Sequence, residues 1–227
     1  MANEEKIITI DGPAGAGKST MARGLANHLR WTYLDTGAMY RAVALAAEKA
    51  GKDVSDEPGL TEVLTELDLR VKPGLSTTRI FLGELEVTAE IREPRISGLA
   101  SAVSAQAIVR RAMVDLQRKI GETGRVVAEG RDMGTVVFPG AGVKFFLEAS
   151  PQERARRRYE ELLGDGVKVS LEQVTNDMIA RDQADSTRAL SPLRPAEDAI
   201  IIDSTGLGVE EVKNRMVHLI HQKWETP

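Results

Sequence analysis

Cysteine is missing from all 227 residues. Its absence excludes a disulfide framework, a thiolate metal centre and a cysteine nucleophile. Histidine is scarce, with three in the chain, which leaves little material for a histidine-rich metal site. No apolar run approaches the roughly 18 residues that a membrane-spanning helix requires. The first residues, Met1-Ala2-Asn3-Glu4-Glu5-Lys6, carry acids where a signal peptide needs an apolar stretch. A cytoplasmic location and no membrane partner are therefore expected. An excess of positive charge is lacking as well: 30 lysines and arginines stand against 34 acids, a net charge of −4. That balance supplies no general drive toward nucleic acid, so no nucleic-acid partner is expected and any basic patch has to be local. Internal repeats and low-complexity tracts are absent too. What remains, 42% hydrophobic and 28% charged residues, has the composition and length of one ordinary globular domain. Nothing in it demands a dimer, and a monomer is expected.

What the chain does have is Gly12-Pro13-Ala14-Gly15-Ala16-Gly17-Lys18-Ser19, the phosphate-loop pattern G-x-x-x-x-G-K-(S/T). An apolar, β-rich stretch at 6–10 precedes it. A helical pattern follows, with Met21, Leu25 and Leu29 four apart. Strand, glycine-rich loop and helix form the context in which the pattern has a mechanism. Glycines let backbone N–H groups turn toward an anion, and the helix behind them points its positive end at the same place. Lys18 adds a charge for the β- and γ-phosphates, and Ser19 offers a hydroxyl to Mg²⁺. The loop indicates a nucleoside triphosphate but not its use, because GTPases, ATPases and small-molecule kinases share it.

Five apolar segments read as buried parallel strands, at 7–10, 31–34, 125–128, 143–147 and 199–202. Helical stretches separate most of them, which predicts an α/β fold with a parallel sheet covered on both faces. Ser150-Pro151-Gln152-Glu153 and Ser170-Leu171-Glu172-Gln173 read as capping boxes, and Gly51, Gly121 and Gly164 stand where helices should stop. The region 67–88 breaks the alternation. It reads as short β segments, with a hairpin turning at Gly83-Glu84, and as a small insert standing off the main sheet.

Polar clusters outside the loop point to a second ligand. Leu34-Asp35-Thr36-Gly37-Ala38-Met39-Tyr40-Arg41 leaves the second strand at the sheet's carboxyl edge, where open α/β sheets bind ligands. Asp35 or Thr36 alternatively caps a helix there, whereas Arg41 has no such explanation. Arg131 and Asp132 follow the third core strand, either in a surface turn or in a site. Leu171, Val174 and Met178 mark an inward helical stripe, and the same spacing continues to Arg181, Asp185 and Arg188. That face ends either in a polar, phosphate-bearing cleft or in a structural ion-pair network. Arg154, Arg157 and Arg158 share a face, as part of a solvated helix paired with Glu153, Glu160 and Glu161, or as a lid over the phosphates. One triphosphate loop with a surplus of arginines, no water-activating glutamine and no N-K-x-D motif favours a kinase with a phosphorylated acceptor over a hydrolase or switch.

The stretches GPAGAGKS, LDTGAMYR, EGRDMGTVVFP and RDQADSTRALSPL together resemble the bacterial cytidylate kinases, a P-loop nucleoside monophosphate kinase family. The similarity extends from about Lys6 to the final helix. It implies a P-loop NTPase-type five-stranded parallel sheet with flanking helices, a small β-containing NMP-binding insert and a helical lid, all in one domain over 1–227. The core would span about 1–62, 97–152 and 165–227, the insert about 63–96 and the lid about 153–164. It implies Mg²⁺-dependent transfer of the ATP γ-phosphoryl group to CMP or dCMP.

Carried over by position, the resemblance implies ATP contacts from the loop Gly12 to Ser19, Thr20 and Arg157, and charge neutralisation by Lys18, Arg131, Arg154, Arg158 and Arg188. It implies an acceptor pocket of Asp35, Thr36, Tyr40, Arg41, Arg92, Ser101, Arg110, Arg131, Asp132, Arg181, Asp185 and Arg188. In it, Asp132 and Ser101 accept from the cytosine N4 group and Arg110 donates to the ring. Arg41, Arg131 and Arg188 hold the acceptor phosphate, Asp185 the ribose, with Arg181 between them. Two departures matter. Glu129 stands where family members often have Asp, so an acid that orders water around Mg²⁺ has a longer reach here. Ser19 supplies a hydroxyl where many members have glycine.

Overall fold

A computed structural model describes residues 4–225. The ends of the expected 1–227 domain, including the first three residues of the acid-bearing N-terminus, lie outside the described residues. The chain runs β1 (Ile7–Asp11), α1 (Lys18–Leu29), β2 (Thr32–Asp35), α2 (Thr36–Lys49) and α3 (Glu57–Glu66). Three short strands follow, β3 (Leu69–Lys72), β4 (Arg79–Leu82) and β5 (Leu85–Glu86). Then come α4 (Pro94–Ala105), α5 (Ala107–Gly121), β6 (Val126–Gly130), β7 (Val143–Glu148), α6 (Pro151–Gly164), α7 (Leu171–Thr187), β8 (Ile200–Asp203) and α8 (Val209–Glu225). A π-helical turn, Met133–Val137, joins β6 to β7.

The main sheet is parallel in the order β2-β6-β1-β7-β8, as the α/β reading expected. Each expected core strand forms within two residues of its anticipated ends. Alternation along the strands sorts side chains to two faces. Ile8 and Ile10 pack with Met21 and Leu25 of α1 and Met216 of α8. Burying side chains such as Met21 and Leu25 contributes roughly 1.5–3 kcal/mol each. Ile7, Val126 and Ala128 pack on the other face, with Met39 and Val43 of α2 and Val109 and Met113 of α5. Consequently Thr9 and Asp11, in step with Ile7, face the α2–α5 side, while Glu129, in step with Val127, faces α1.

The hairpin at Gly83-Glu84 forms, with Gly83 left-handed at φ 58°. β3 joins it in an antiparallel three-stranded sheet separate from the main one. The insert does not stand off, however. The Tyr33 N–H donates to the Gly74 carbonyl at 2.7 Å. Thr78 donates its hydroxyl to the Tyr33 carbonyl at 2.8 Å and accepts from the Asp35 N–H at 3.0 Å. Edge strand β2 has unpaired backbone groups on its outer side, and the insert satisfies them.

The Ser170 capping box is complete. At Ser150 only half of it forms, because the Glu153 carboxylate pairs with Arg156 and Arg157 instead. The inward stripe on α7 starts at Val174, not Leu171, whose exposure is 46%. Leu171 is the first residue of α7 and does not join the cluster that Val174 and Met178 form with Ala155 of α6. Gly121 and Gly164 end their helices in helical conformation, and the left-handed stops fall later, at Gly124 and Gly166.

Candidate active site

Gly12 leaves β1 at φ 147°, and a Cβ there would lie 2.1 Å from the Leu147 carbonyl oxygen. Only glycine allows the loop to pass this close to β7. Gly17, at φ 91°, swings the chain into α1. Pro13, Ala14, Gly15 and Ala16 complete the loop, with Thr20 exposed just inside the helix. Lys18 donates to its own loop's Pro13 carbonyl at 2.6 Å. Burial, reinforced by Arg131, pushes its ammonium pKa well below the usual lysine range. A buried cation so penalised gains from an arriving anion.

The Ser19 hydroxyl donates to Glu129 Oε2 at 2.8 Å, and Tyr33 donates to the other carboxylate oxygen. Burial and Asp35 raise the Glu129 pKa. The Tyr33 phenol pKa is raised too, by burial and by Glu129. Parallel pairing sets Asp35 of β2 beside Glu129 of β6 and Asp11 of β1 beside Gly130. Three acids therefore line the carboxyl ends of the neighbouring strands β2, β6 and β1.

Asp35 does cap α2, and its carboxylate also pairs with arginines. It accepts from the Ala38 N–H at 2.9 Å and pairs with Arg41 at 3.1 Å and Arg92 at 3.6 Å. The Thr36 hydroxyl donates to the Glu129 carbonyl at 2.6 Å. Arg110 is buried, bonds to Asp132 and to the Ser104 carbonyl at 3.2 Å, and lies 5.7 Å from the Tyr40 ring centre. Burial raises the Tyr40 pKa to about 12, with Arg110 opposing the shift. Ser101, half-buried on α4, offers its carbonyl to Ser104.

α7 does become charged without changing side at Arg181 and Asp185, whereas Arg188 lies just past the helix as its extended C-cap, because α7 ends at Thr187. Arg131 donates to Asp185 at 2.7 Å, and Arg188 lies 3.6 Å from the same carboxylate. Burial pushes Asp185 upward, but Arg131, Arg181 and Arg188 outweigh it and hold the pKa below the ordinary value. Arg181 is pushed down to about 10 by burial and by Arg131. Arg181 Nε, Arg188 Nη2, Arg41 Nε and Arg110 Nε are buried without a hydrogen-bond partner. Three guanidiniums around Asp185 against one carboxylate leave two uncompensated positive charges.

Of the arginines on α6, Arg154 and Arg157 reach the loop region. Arg154 donates to the Ala14 carbonyl at 3.1 Å and pairs with Asp182. Arg157 donates to the Ser204 carbonyl at 2.7 Å, and its Nη1 lies 3.9 Å from where a Cβ on Gly17 would be. Arg158 pairs with Glu161 at 2.7 Å along its own helix. A cleft of about 660 Å³, bordered by Pro13, Ser150, Arg154, Asp182 and Thr205, opens beside the loop.

Asp11, Tyr33, Asp182 and Ser204 were not singled out from sequence. Only Asp11 left a signal there, an acid closing an apolar strand. Among the described residues no metal-binding group of three or more His, Cys, Asp or Glu side chains occurs, and no helix is long and apolar enough to cross a membrane.

The model of one family, cytidylate kinase, matches residues 8–222. A cytidylate kinase from Carboxydothermus hydrogenoformans is 52% identical over 216 residues, covering 95% of this chain and 97% of that protein. One from Syntrophotalea carbinolica is 49% identical over 221 residues, covering 97% and 94%. Among solved structures, an uncharacterized protein from Eubacterium ventriosum superposes with a TM-score of 0.54 at 14% identity, covering 96% of this chain and 99% of its own. That likeness concerns the fold alone.

Proposed function

The chain belongs to the cytidylate kinase family, and we propose that its two ligands meet between the loop Gly12 to Ser19 and the arginine cluster around Asp185. Family membership makes it a nucleoside monophosphate kinase with ATP as the phosphoryl donor. The finer reading is transfer of the γ-phosphoryl group to CMP or dCMP, giving CDP or dCDP and ADP. One observation carries the acceptor site: the net of two positive charges at Arg131, Arg181, Arg188 and Asp185. A phosphomonoester carries nearly two negative charges at neutral pH.

In this reading Arg41, Arg131 and Arg188 hold the acceptor phosphate, with Arg181 between phosphate and sugar and Asp185 on the ribose. Asp132, fixed by Arg110, accepts from the cytosine amino group together with Ser101. Tyr40 supports Arg110, and Arg92 and Asp35 close the rim. Uracil presents an oxygen where cytosine presents a donor, so it faces the Asp132 carboxylate with a lost bond and a like charge. Binding sites built around such a bond reject the wrong partner strongly.

The acceptor oxygen is already unprotonated in the dianion, so no residue has to remove a proton. It attacks the γ-phosphorus in line, forming one P–O bond as the bond to the β-phosphate oxygen breaks. Lys18, Arg154 and Arg158 neutralise charge moving toward the β-phosphate, and Arg157 contacts the donor beside the loop. We assign 153–164 to a lid that excludes water and about 63–96 to the acceptor-binding insert.

Mg²⁺ fits the residues present. Ser19 Oγ and Glu129 are oxygen donors 2.8 Å apart, and an ion held mainly by phosphates needs only one or two protein ligands. When bound it would offset the charge of the donor phosphates. Ser19 would ligate directly, with Glu129 acting through water and Tyr33 holding Glu129 in place. The proposal includes a monomer in the cytoplasm, and the acidic balance supports the further expectation of no nucleic-acid partner.

The test is ADP formation from MgATP with CMP, dCMP, UMP, AMP, GMP or no acceptor. Fast release confined to CMP and dCMP supports the reading. Equal rates with UMP remove Asp132 from base recognition, and rates independent of acceptor remove the acceptor site altogether.

A further inference from the structure

Asp11 ends β1 and has no part in the mechanism above. It is 4% exposed, and both carboxylate oxygens are engaged. Oδ1 accepts from the Met133 N–H at 2.9 Å and Oδ2 from the Gly134 N–H at 2.8 Å. These two amides open the π-helical turn Met133–Val137, and the first amides of a helix have no partner within it. The residue at the N-cap usually supplies one from its own side chain. Asp132 occupies that position and makes no such bond, because its carboxylate is turned to Arg110.

We propose that Asp11 is a surrogate cap for this turn, a positioning residue that frees the neighbouring Asp132 to read the acceptor base. The inference rests on the proposed role of Asp132. The sheet makes the substitution possible. β1 and β6 pair with Asp11 beside Gly130, so the turn leaving β6 begins directly over the end of β1. Gly134 lets the turn come close: a Cβ there would lie 3.1 Å from Thr9 Oγ1 and 3.4 Å from Asp11 Oδ2. Without Asp11, two amides are left buried and unsatisfied, a costly state. Aspartate is a favoured N-cap, and Asp132 has the position to turn back and accept from its own helix. Doing so takes it off Arg110 and away from the base.

The test compares kcat and KM for CMP and UMP in the whole enzyme and in Asp11→Asn, Asp11→Ala, Asp132→Ala and the double variant Asp11→Asn/Asp132→Ala. Asparagine keeps the size and one acceptor oxygen but turns an NH₂ toward one of the amides. The CMP over UMP ratio of kcat/KM should fall roughly tenfold or more in Asp11→Asn, the scale of one charge-assisted hydrogen bond. The loss should come mainly through KM for CMP. In the Asp132→Ala background the Asp11 change should leave the ratio where it is, since the group being positioned is gone. An unchanged ratio in the Asp11 variants, beside a lowered one in Asp132→Ala, overturns the inference alone. Additive effects in the double variant do the same. An unchanged ratio in Asp132→Ala removes the base-reading role and this inference with it. If neither Asp11 variant folds, Asp11 has a structural role only and the proposal is overturned.

Discussion

Deleting the Asp185 side chain isolates what holds the arginine cluster together in the free enzyme. Asp185 is 8% exposed at its side chain, 2.7 Å from Arg131 and 3.6 Å from Arg188. Asp185→Ala leaves Arg131, Arg181 and Arg188 facing one another with no carboxylate between them. Breaking a buried pair by removing one partner costs about 3–5 kcal/mol. Arg131 keeps 18% exposure, so water recovers part of its solvation and the lower end, about 3 kcal/mol, applies. In a chain of this length each kcal/mol moves the unfolding midpoint by roughly 2–4 °C, which gives a fall of about 6–12 °C at neutral pH. The pH dependence has a definite sign. Arg131 and its neighbours hold the Asp185 pKa below its ordinary value despite burial. Its stabilisation is therefore complete above the unfolded pKa of about 3.9 and is lost as pH falls through the lower folded value. Thermal unfolding of ligand-free enzyme and variant, followed by circular dichroism from about pH 7 to pH 3, should show a constant gap that closes below about pH 4. A variant within about 2 °C of the parent at neutral pH, or a gap unchanged at the acid end, refutes the reasoning.

Asp11 should show the opposite slope. Burial raises its pKa from 3.8 to about 6, so the folded chain keeps a proton that the unfolded chain has lost. Stability then falls as pH rises through that window, by about 3 kcal/mol for this group. Asp11→Asn should remove that component from denaturant melts between about pH 4 and pH 6.5, and identical slopes in both proteins would count against it. Tyr33→Phe leaves Glu129 with one hydroxyl donor fewer, and should raise the Mg²⁺ concentration needed for ADP binding by roughly tenfold in calorimetric titrations. An unaltered Mg²⁺ dependence would show that Tyr33 does not position Glu129. Arg188→Ala should lower turnover with CMP by roughly a hundredfold or more while circular dichroism and cooperative melting persist. Normal turnover would return the end of α7 to a structural ion-pair network.

The elements legible in sequence were those written in local spacing. The phosphate loop, the five core strands, the Ser170 capping box and the Gly83-Glu84 hairpin each depend on residues a few positions apart. The stripe Val174, Met178, Arg181 and Asp185 was legible for the same reason, as helical periodicity carries a face forward whatever lies opposite, whereas Arg188 reaches Asp185 from just past the helix end, where that periodicity no longer applies. Leu171 failed because periodicity says which side a residue is on and not which residues of that side join the packed cluster. The Glu153 half of its capping box failed because Arg156 and Arg157, three and four residues on, compete for the same carboxylate.

By itself the sequence determined that a triphosphate loop sits between a strand and a helix, that the sheet is parallel, and that arginines outnumber local acids where a second anion would bind. Only the tertiary structure decided which distant groups meet. β1 lies at the centre of the sheet, between β6 and β7, and that placement brings Asp11 under the turn at Met133, 122 residues away. The same order sets Tyr33 and Ser19 on the two oxygens of Glu129. Strand order and register arise from burying the whole apolar surface at once, a global balance to which no short window of residues has access.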